Sequence, residues 1–387
     1  MPYVTLPQSP VFQQVSLEEI LSGYVDPSRF VPLRNAPSGT RTAFRRELPR
    51  NFVERYDITG MVVALRDFNS KYADLFTVER RSLYHHFEID KKGIDPRTGR
   101  HKKRPIDAPC DELKLALYEL KDILENKCGA LYHTNAFAYI QKRCAVDSVR
   151  RHQANKSHWF LKTDFTNFFS NTTEEFVQHI LHMVFPFSEI YKYPAGEDAL
   201  NKALSLCFLN GGLPQGTPIS PMLTNLVMIP IDHRLANCLR DLNGHHYVYT
   251  RYADDILISS KVHFNHTNLV SYINSVLAEF QAPFAINPDK TRYGSGNGHN
   301  FNLGVCLNEK NQITIGYKRK NEFRGMLHNY ILARKNGVRW DCREVAVMDG
   351  LLSYYRSIEP NYWDDIVERY NRKYSINLRR MIRDDKA

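Results

Sequence analysis

Two aspartates interrupt an apolar strand. Tyr247–Tyr252 reads as one β-strand, Ile256–Ser259 continues it, and Asp254-Asp255 stands between them. That layout predicts a β-hairpin with carboxylates at its tip. A further strand is predicted at Trp159–Thr163, directly before Asp164 and Phe165. An ordinary surface turn also favours Asp, but it would more often carry Gly, Asn or Pro, and this turn has none of them. Carboxylates on neighbouring strands are hard oxygen donors suited to Mg²⁺, which keeps several of its waters. Successive strand residues point to opposite faces, so Asp254 is expected as the direct ligand and Asp255 as a more peripheral charge.

The rest of the chain predicts an α+β organisation with a helical tail. Residues 1–50 are irregular and rich in Pro and Arg, with a short helical pattern around Ser16–Leu21. Residues 51–90 read as helix and then extended chain. A turn-rich basic loop follows, holding seven Lys or Arg against one Asp from Lys91 to Arg104. Asp111–Lys127 repeats Leu113, Leu115, Leu117, Leu120, Ile123 and Leu124 at helical spacing, with Asp111 as N-cap. A helix is predicted over Phe264–Ala282, a hairpin from Phe301–Leu307 and Ile313–Tyr317, and helices over 319–387.

The formal net charge of +10 favours a polyanionic partner, nucleic acid first and an anionic membrane surface second. The seven cysteines form no C-x-x-C pair, which predicts reduced thiols rather than a zinc site. The first residues show no charged segment followed by an apolar one, and no run of about 18 apolar residues exists anywhere. The expectation is a cytoplasmic protein with no membrane partner.

Three motifs in order carry a resemblance. Phe160–Phe169 resembles the first acidic motif of reverse transcriptases, Gly212–Leu223 resembles their L-P-Q-G-x-x-x-S-P segment, and Arg251–Ile258 resembles their Y-x-D-D box. Softer matches are Lys91-Lys92-Gly93 with Arg104-Pro105-Ile106 (fingers), Ala138–Arg143, Asn287–Thr291, and Asn302–Val305 (primer grip). The resemblance covers roughly residues 80–360 and implies a right-hand polymerase: fingers, a palm with an antiparallel sheet, and a helical thumb. The expected division is an N-terminal extension at 1–50, fingers at 51–158, palm at 159–316 with an insertion about 175–210, and thumb at 317–387.

The resemblance also implies roles. Asp164, Asp254 and Asp255, with the Phe165 backbone carbonyl, would hold two Mg²⁺ ions, with Mn²⁺ as an alternative. Such a pair lowers the pKa of a 3′-hydroxyl and stabilises the leaving pyrophosphate. Lys91, Lys92 and Arg104 would meet the triphosphate of a dNTP, and Lys290 would neutralise or protonate the pyrophosphate. Phe169 would exclude a 2′-hydroxyl, and Gln215 and Gly216 would line the template–nucleotide pocket. Arg143, Tyr252, Leu303, Gly304, Lys320 and Arg324 would contact an RNA/DNA duplex. In the tail, basic residues such as Lys320 and Arg324 share a helix with Phe323, Leu327, Tyr330 and Ile331, which suits a thumb that buries one face and offers the other to phosphates.

The chain also departs from the family pattern. The basic loop is long, no N-A-x-x-H follows the first acidic motif, and Leu303 stands where retron enzymes usually show V-T-G. These departures count against a standard retron. They favour a compact bacterial reverse transcriptase of the defence-associated kind, related to retron and group II intron enzymes and templated by a dedicated noncoding RNA in antiphage defence. Alternatives are retron-type msDNA synthesis, protein-primed or template-independent synthesis, and a non-polymerising RNA-binding component. A homo-oligomer and an effector partner both stay open.

Overall fold

A computed structural model describes residues 57–94, 100–125, 131–240, 242, 246–295 and 304–386, with 91–94 described in backbone alone. The extension expected over 1–50, its helical pattern at Ser16–Leu21, and Leu303 lie outside the described residues. In chain order the elements are α1 (Ile58–Lys71), β1 (Tyr84–Ile94), β2 (His101–Pro109), α2 (Asp111–Glu125), α3 (Ala145–Ala154) and β3 (Trp159–Asp164). Four helices follow: α4 (Glu174–Leu181), α5 (Pro194–Ser205), α6 (Ser220–Val227) and α7 (Ile229–Arg240). Next come β4 (Val248–Tyr252), β5 (Asp255–Ser260), α8 (His266–Glu279), β6 (Arg292–Ser295), β7 (Cys306–Leu307) and β8 (Ile313–Thr314). The last helices are α9 (Tyr317–Lys335), α10 (Cys342–Ile358), α11 (Pro360–Tyr374) and α12 (Leu378–Lys386).

The chain divides into two compact units. The first holds the described residues up to Arg143, Leu161–Ile258 and His263–Tyr293; the second holds Cys144–Phe160, Ser259–Val262 and the described residues from Gly294.

In the first unit, strands run in the order β4-β5-β3-β6. The two-residue link Ala253-Asp254 joins β4 to β5, which only an antiparallel pair allows. Both faces of β5 are covered, since the successive residues Ile256, Leu257 and Ile258 are all buried. The basic segment expected as a loop is largely paired strand. β1 and β2 run antiparallel from Tyr84↔Pro109 to Asp90↔Lys103, with an irregularity between Asp90 and Ile94. Cross-strand partners make this pairing tolerable, because Lys103 sits 3.0 Å from Glu88 and His86 Nδ1 hydrogen-bonds Asp107 Oδ1 at 2.9 Å.

Helix α2 buries Leu113, Leu117, Leu120 and Leu124, while Leu115 faces solvent. Asp111 is the first helical residue rather than the cap. Cys110 precedes it, and the Lys114 N–H donates to the Cys110 carbonyl at 2.8 Å. An acid there still favours the helix N-terminus through the dipole.

In the second unit, β7 and β8 pair antiparallel through Cys306↔Thr314 and Leu307↔Ile313. Helices α9 to α12 share a core that includes Phe323, Leu327, Ile331, Met348, Trp363 and Ile366. The apolar face expected on the first tail helix is the face that is buried. No helix among the described residues is long and apolar enough to cross a membrane.

Candidate active site

Backbone pairing brings the distant acids together. The Phe165 N–H donates to the Asp254 carbonyl at 3.2 Å, so the end of β3 abuts the tip of the β4–β5 hairpin. On its other side this segment is met by 285–287: the Asn287 N–H donates to the Asp164 carbonyl at 2.8 Å, and the Thr166 N–H to Ala285 at 2.9 Å. Phe165, Phe168 and Phe284 form an aromatic cluster beneath, with centroids 4.9–5.2 Å apart. That packing fixes the turn after Asp164, where Asn167 takes the left-handed conformation.

Above the hairpin lies a cleft of about 460 Å³. Arg104 and Ile106 line one wall from the same face of β2, as alternate residues must. Gln215, Gly216, Thr217, Ser220 and Pro221 form another wall at the entry to α6, and Asn167, Phe168 and Phe169 a third. Tyr139, Asp254, Phe165 and Lys290 complete it. Gly216 has φ +125°, and a Cβ there would stand 2.9 Å from the Asp107 carbonyl oxygen. The Asp107 N–H donates to the Gln215 carbonyl at 2.8 Å, so glycine lets the two walls dock backbone to backbone.

Electrostatically the floor carries an excess of negative charge. Asp164 is 3% exposed; Lys290 donates to its Oδ2, while Oδ1 is buried without a hydrogen-bond partner. Burial pushes the Asp254 pKa up and nearby Asp164 adds to this, against its own backbone N–H, Lys290 and Arg104. Burial likewise raises Asp255, against the Lys162 ammonium 3.5 Å away. Burial acts to lower the Lys290 pKa, but its hydrogen bond to Asp164 and the charges of the three aspartates raise it overall.

No group of three His, Cys, Asp or Glu side chains suited to a metal ion is found among the described residues. Two carboxylates and a backbone carbonyl nonetheless suit Mg²⁺, which takes few protein ligands and retains water. The unpartnered Asp164 Oδ1, beside carboxyls whose pKa values are raised, is what a cation would relieve. The residues fit the ion.

Residues 89–324, well over half of the chain, match the family model "Reverse transcriptase (RNA-dependent DNA polymerase)". The chain belongs to the reverse transcriptase family. Its fold is the α+β right hand of polymerases, and its activity class is RNA-directed DNA polymerase. Retron Ec73 reverse transcriptase of Escherichia coli is 26% identical over 278 residues, 70% of this chain and 83% of that protein. Retron Ec83 reverse transcriptase of Escherichia coli is 24% identical over 284 residues, 70% of this chain and 82% of that protein. A telomerase structure from Candida albicans aligns with a TM-score of 0.44 at 13% identity, over 80% of this chain and 60% of that one, and at that level carries no argument. The family is therefore retron-related, even though the sequence departs from the usual retron motifs.

Of the residues expected in a reverse transcriptase site, the cleft gathers Arg104, Phe165, Phe169, Gln215, Gly216, Asp254 and Lys290. Asp164 lies under Lys290, and Asp255 turns to Lys162. Lys91 and Lys92 lie on β1, in the part described by backbone alone.

Two residues expected at nucleic acid have partners within the chain. Arg143 donates to the carbonyls of His133 at 2.5 Å, Ala136 at 2.8 Å and Tyr132 at 3.3 Å, so it braces its own loop. Lys320 is 18% exposed, bound to Glu359 at 2.5 Å and lying 4.2 Å over the Tyr362 ring, so its charge is already matched within the helical unit. Arg324 stays exposed, with Tyr362 at 3.5 Å. Gly304 has φ +89° and packs against the Arg319 guanidinium, and Tyr252 is half-buried on β4. Sequence reasoning missed Tyr139, Ile106 and Thr217. All three lie inside segments that resemble the family.

Proposed function

We propose that this reverse transcriptase extends a 3′-hydroxyl with dNTPs by two-metal chemistry at Asp164 and Asp254, copying a dedicated noncoding RNA. The supporting observation is the junction of β3 with the hairpin tip, which brings the buried carboxyl of Asp164 beside the half-buried one of Asp254 at a polar cleft. Mg²⁺ held by Asp164, Asp254 and the Phe165 carbonyl would activate the hydroxyl and stabilise the leaving pyrophosphate.

The protein's own groups supply the rest. Arg104 offers a fixed fork of donors to phosphate oxygens. Phe169 presents a ring where a 2′-hydroxyl would intrude, and the Gln215–Gly216 backbone gives a flat wall for the templated base pair. Lys290 holds Asp164 Oδ2 and lines the cleft, where its ammonium would meet the pyrophosphate. In this reading 51–158 are fingers, 159–316 palm and 317–387 thumb. An antiphage role is what the resemblance implies, and the cytoplasm is the expectation from the sequence itself.

The test is primer extension on an RNA template by wild type and Asp254→Ala. Wild type should incorporate dNTPs and the variant should fall by several orders of magnitude. A wild type silent on every RNA it binds sinks the enzyme reading. A second reading, retron-type msDNA synthesis, is favoured by relatives named as retron reverse transcriptases that match over about four-fifths of their length. Sequencing the nucleic acid that co-purifies with the protein separates the two, because it shows template and product together.

A further inference from the structure

Beneath the hairpin lies a buried ion pair that the chemistry above does not use. Arg251 and Asp232 are each 1% exposed. Arg251 Nε donates to Asp232 Oδ1 at 2.9 Å and Nη2 to Oδ2 at 2.7 Å, and the Tyr249 hydroxyl donates to Oδ1 at 2.6 Å. Burying such a pair is weak evidence for stability, since an apolar trio of similar volume often does as well. Its remaining donor suggests what it does. Arg251 Nη1 donates to the Ala253 carbonyl at 2.9 Å and to Asn225 Oδ1 at 3.1 Å. Asn225 in turn donates from Nδ2 to the Ala138 carbonyl at 2.8 Å.

Those two carbonyls share a feature. Each belongs to the peptide that leads into a cleft-lining residue: Ala253 into Asp254, and Ala138 into Tyr139. A left-handed residue adjoins each: Ala253 itself has φ +58°, and Tyr139, which follows Ala138, has φ +59°. Non-glycine residues rarely hold that conformation unless their surroundings fix it. The main chain adds to the link, because the Arg251 N–H donates to Asn135 at 2.8 Å and the Phe137 N–H donates to Arg251 at 2.9 Å.

We propose that Arg251, Asp232 and Asn225 form a positioning unit that fixes the peptides before Asp254 and Tyr139 and so couples the metal side of the cleft to the loop that carries Tyr139. Asp232 aims the guanidinium, Arg251 holds the hairpin tip, and Asn225 passes the constraint from α6 to the loop carrying Tyr139. The inference rests on Asp254 belonging to the catalytic site.

The test measures melting temperature, kcat and KM for dNTP on a primed RNA, and Mn²⁺ binding by electron paramagnetic resonance without nucleotide. Arg251→Lys keeps the charge but cannot reach Asp232, Asn225 and Ala253 together. It should stay folded, lose about 10–100-fold in kcat with KM within about threefold, and bind Mn²⁺ about tenfold more weakly. Asn225→Ala should raise KM for dNTP about tenfold through the Tyr139 wall. The triple variant Arg251→Met, Asp232→Leu, Tyr249→Phe removes the charges together, so it should melt near wild type yet remain as slow as Arg251→Lys.

Recovery of activity along with stability in the triple variant overturns the proposal, because the unit would then be mere support. Wild-type kcat and Mn²⁺ binding in Arg251→Lys also overturn it, as does an Arg251→Lys chain that fails to fold. An active Asp254→Ala control instead overturns the site reading beneath it. If the triple variant melts low, the folded Arg251→Lys enzyme decides.

Discussion

The glycines before the L-P-Q-G-like segment permit a graded perturbation of the sugar-facing wall. Leu209 and Gly212 exchange backbone hydrogen bonds of 2.9 and 3.2 Å, and the Leu213 N–H donates to the Phe169 carbonyl at 3.0 Å. A Cβ at Gly212 would stand 2.0 Å from the Ser170 carbonyl oxygen, 2.6 Å from its carbonyl carbon and 2.8 Å from its Cα. Carbon atoms prefer separations of about 3.5 Å or more, so the Phe168–Asn171 turn must retreat by roughly 1 Å, taking Phe169 with it. Gly211 provides the control: it has φ +82° but open space around its missing Cβ, so alanine there adds only the left-handed penalty of about 1–2 kcal/mol. Overpacking at Gly212 carries a similar stability cost of about 1–3 kcal/mol. The two variants should therefore melt within a few degrees of each other and differ in catalysis. Single-nucleotide extension with dNTP and rNTP reads the difference. Gly212→Ala should lose on the order of 100-fold in kcat/KM for dNTP and discriminate less against rNTP, because a misplacement of about 1 Å has that effect. Gly211→Ala should keep wild-type discrimination. Equal discrimination in the two variants would refute a role for this contact in placing Phe169.

Other perturbations address separate parts. Gly216→Ala combines a forbidding φ with a 2.9 Å approach to the Asp107 carbonyl, so it should raise KM for dNTP and lower the melting temperature together; an unchanged KM would show that the docking of these two walls is irrelevant to the nucleotide. Phe169→Val should raise rNTP incorporation by about 10–100-fold with dNTP use less affected, and unchanged ratios in the same extension assay would remove the ring from sugar selection. His152, buried with its Nδ1 2.5 Å from the Ser259 hydroxyl, has its pKa pushed down to about 3 by burial. The unfolded chain then binds the extra proton below pH 6.5, so this group's stabilisation is complete above that pH and is lost toward pH 3, about 2 kcal/mol of it by pH 5. Urea midpoints of wild type at pH 7 and 5 should show the loss and those of His152→Gln should not.

What the sequence made legible was local. The strand–Asp-Asp–strand pattern gave the hairpin because its period of two depends on neighbours alone. Contacts between distant segments were less accessible. Lys290 reaches Asp164 across 126 positions, through the pairing of 285–287 with the end of β3, and no spacing rule encodes that. The Tyr139 and Arg143 pair shows the same limit within one short segment. Both belong to a family-like stretch, yet left-handed turns at Tyr139 and Lys142 send the tyrosine to the cleft and the arginine to its own loop's carbonyls. On α9, Lys320 and Arg324 sit one turn apart and read alike as phosphate contacts. Glu359 and Tyr362, some forty residues on, take Lys320 and leave Arg324 exposed.

The hairpin tip shows how a local misfit can itself be informative. The tip lacks Gly, Asn and Pro, and Ala253 occupies a left-handed conformation that Gly or Asn would adopt with less strain. Glycine there would relax the turn and also let the following carboxyl wander. Alanine narrows the backbone's choices, and the buried Arg251 fixes the one that remains through the Ala253 carbonyl. Local preference and global fold disagree at this one turn, and such disagreements are expected to concentrate where function sets the geometry. Asp254 is therefore marked by the residues before it as much as by its own charge, and a carboxyl aimed by a rigid peptide is what a site binding a small, geometrically demanding cation requires.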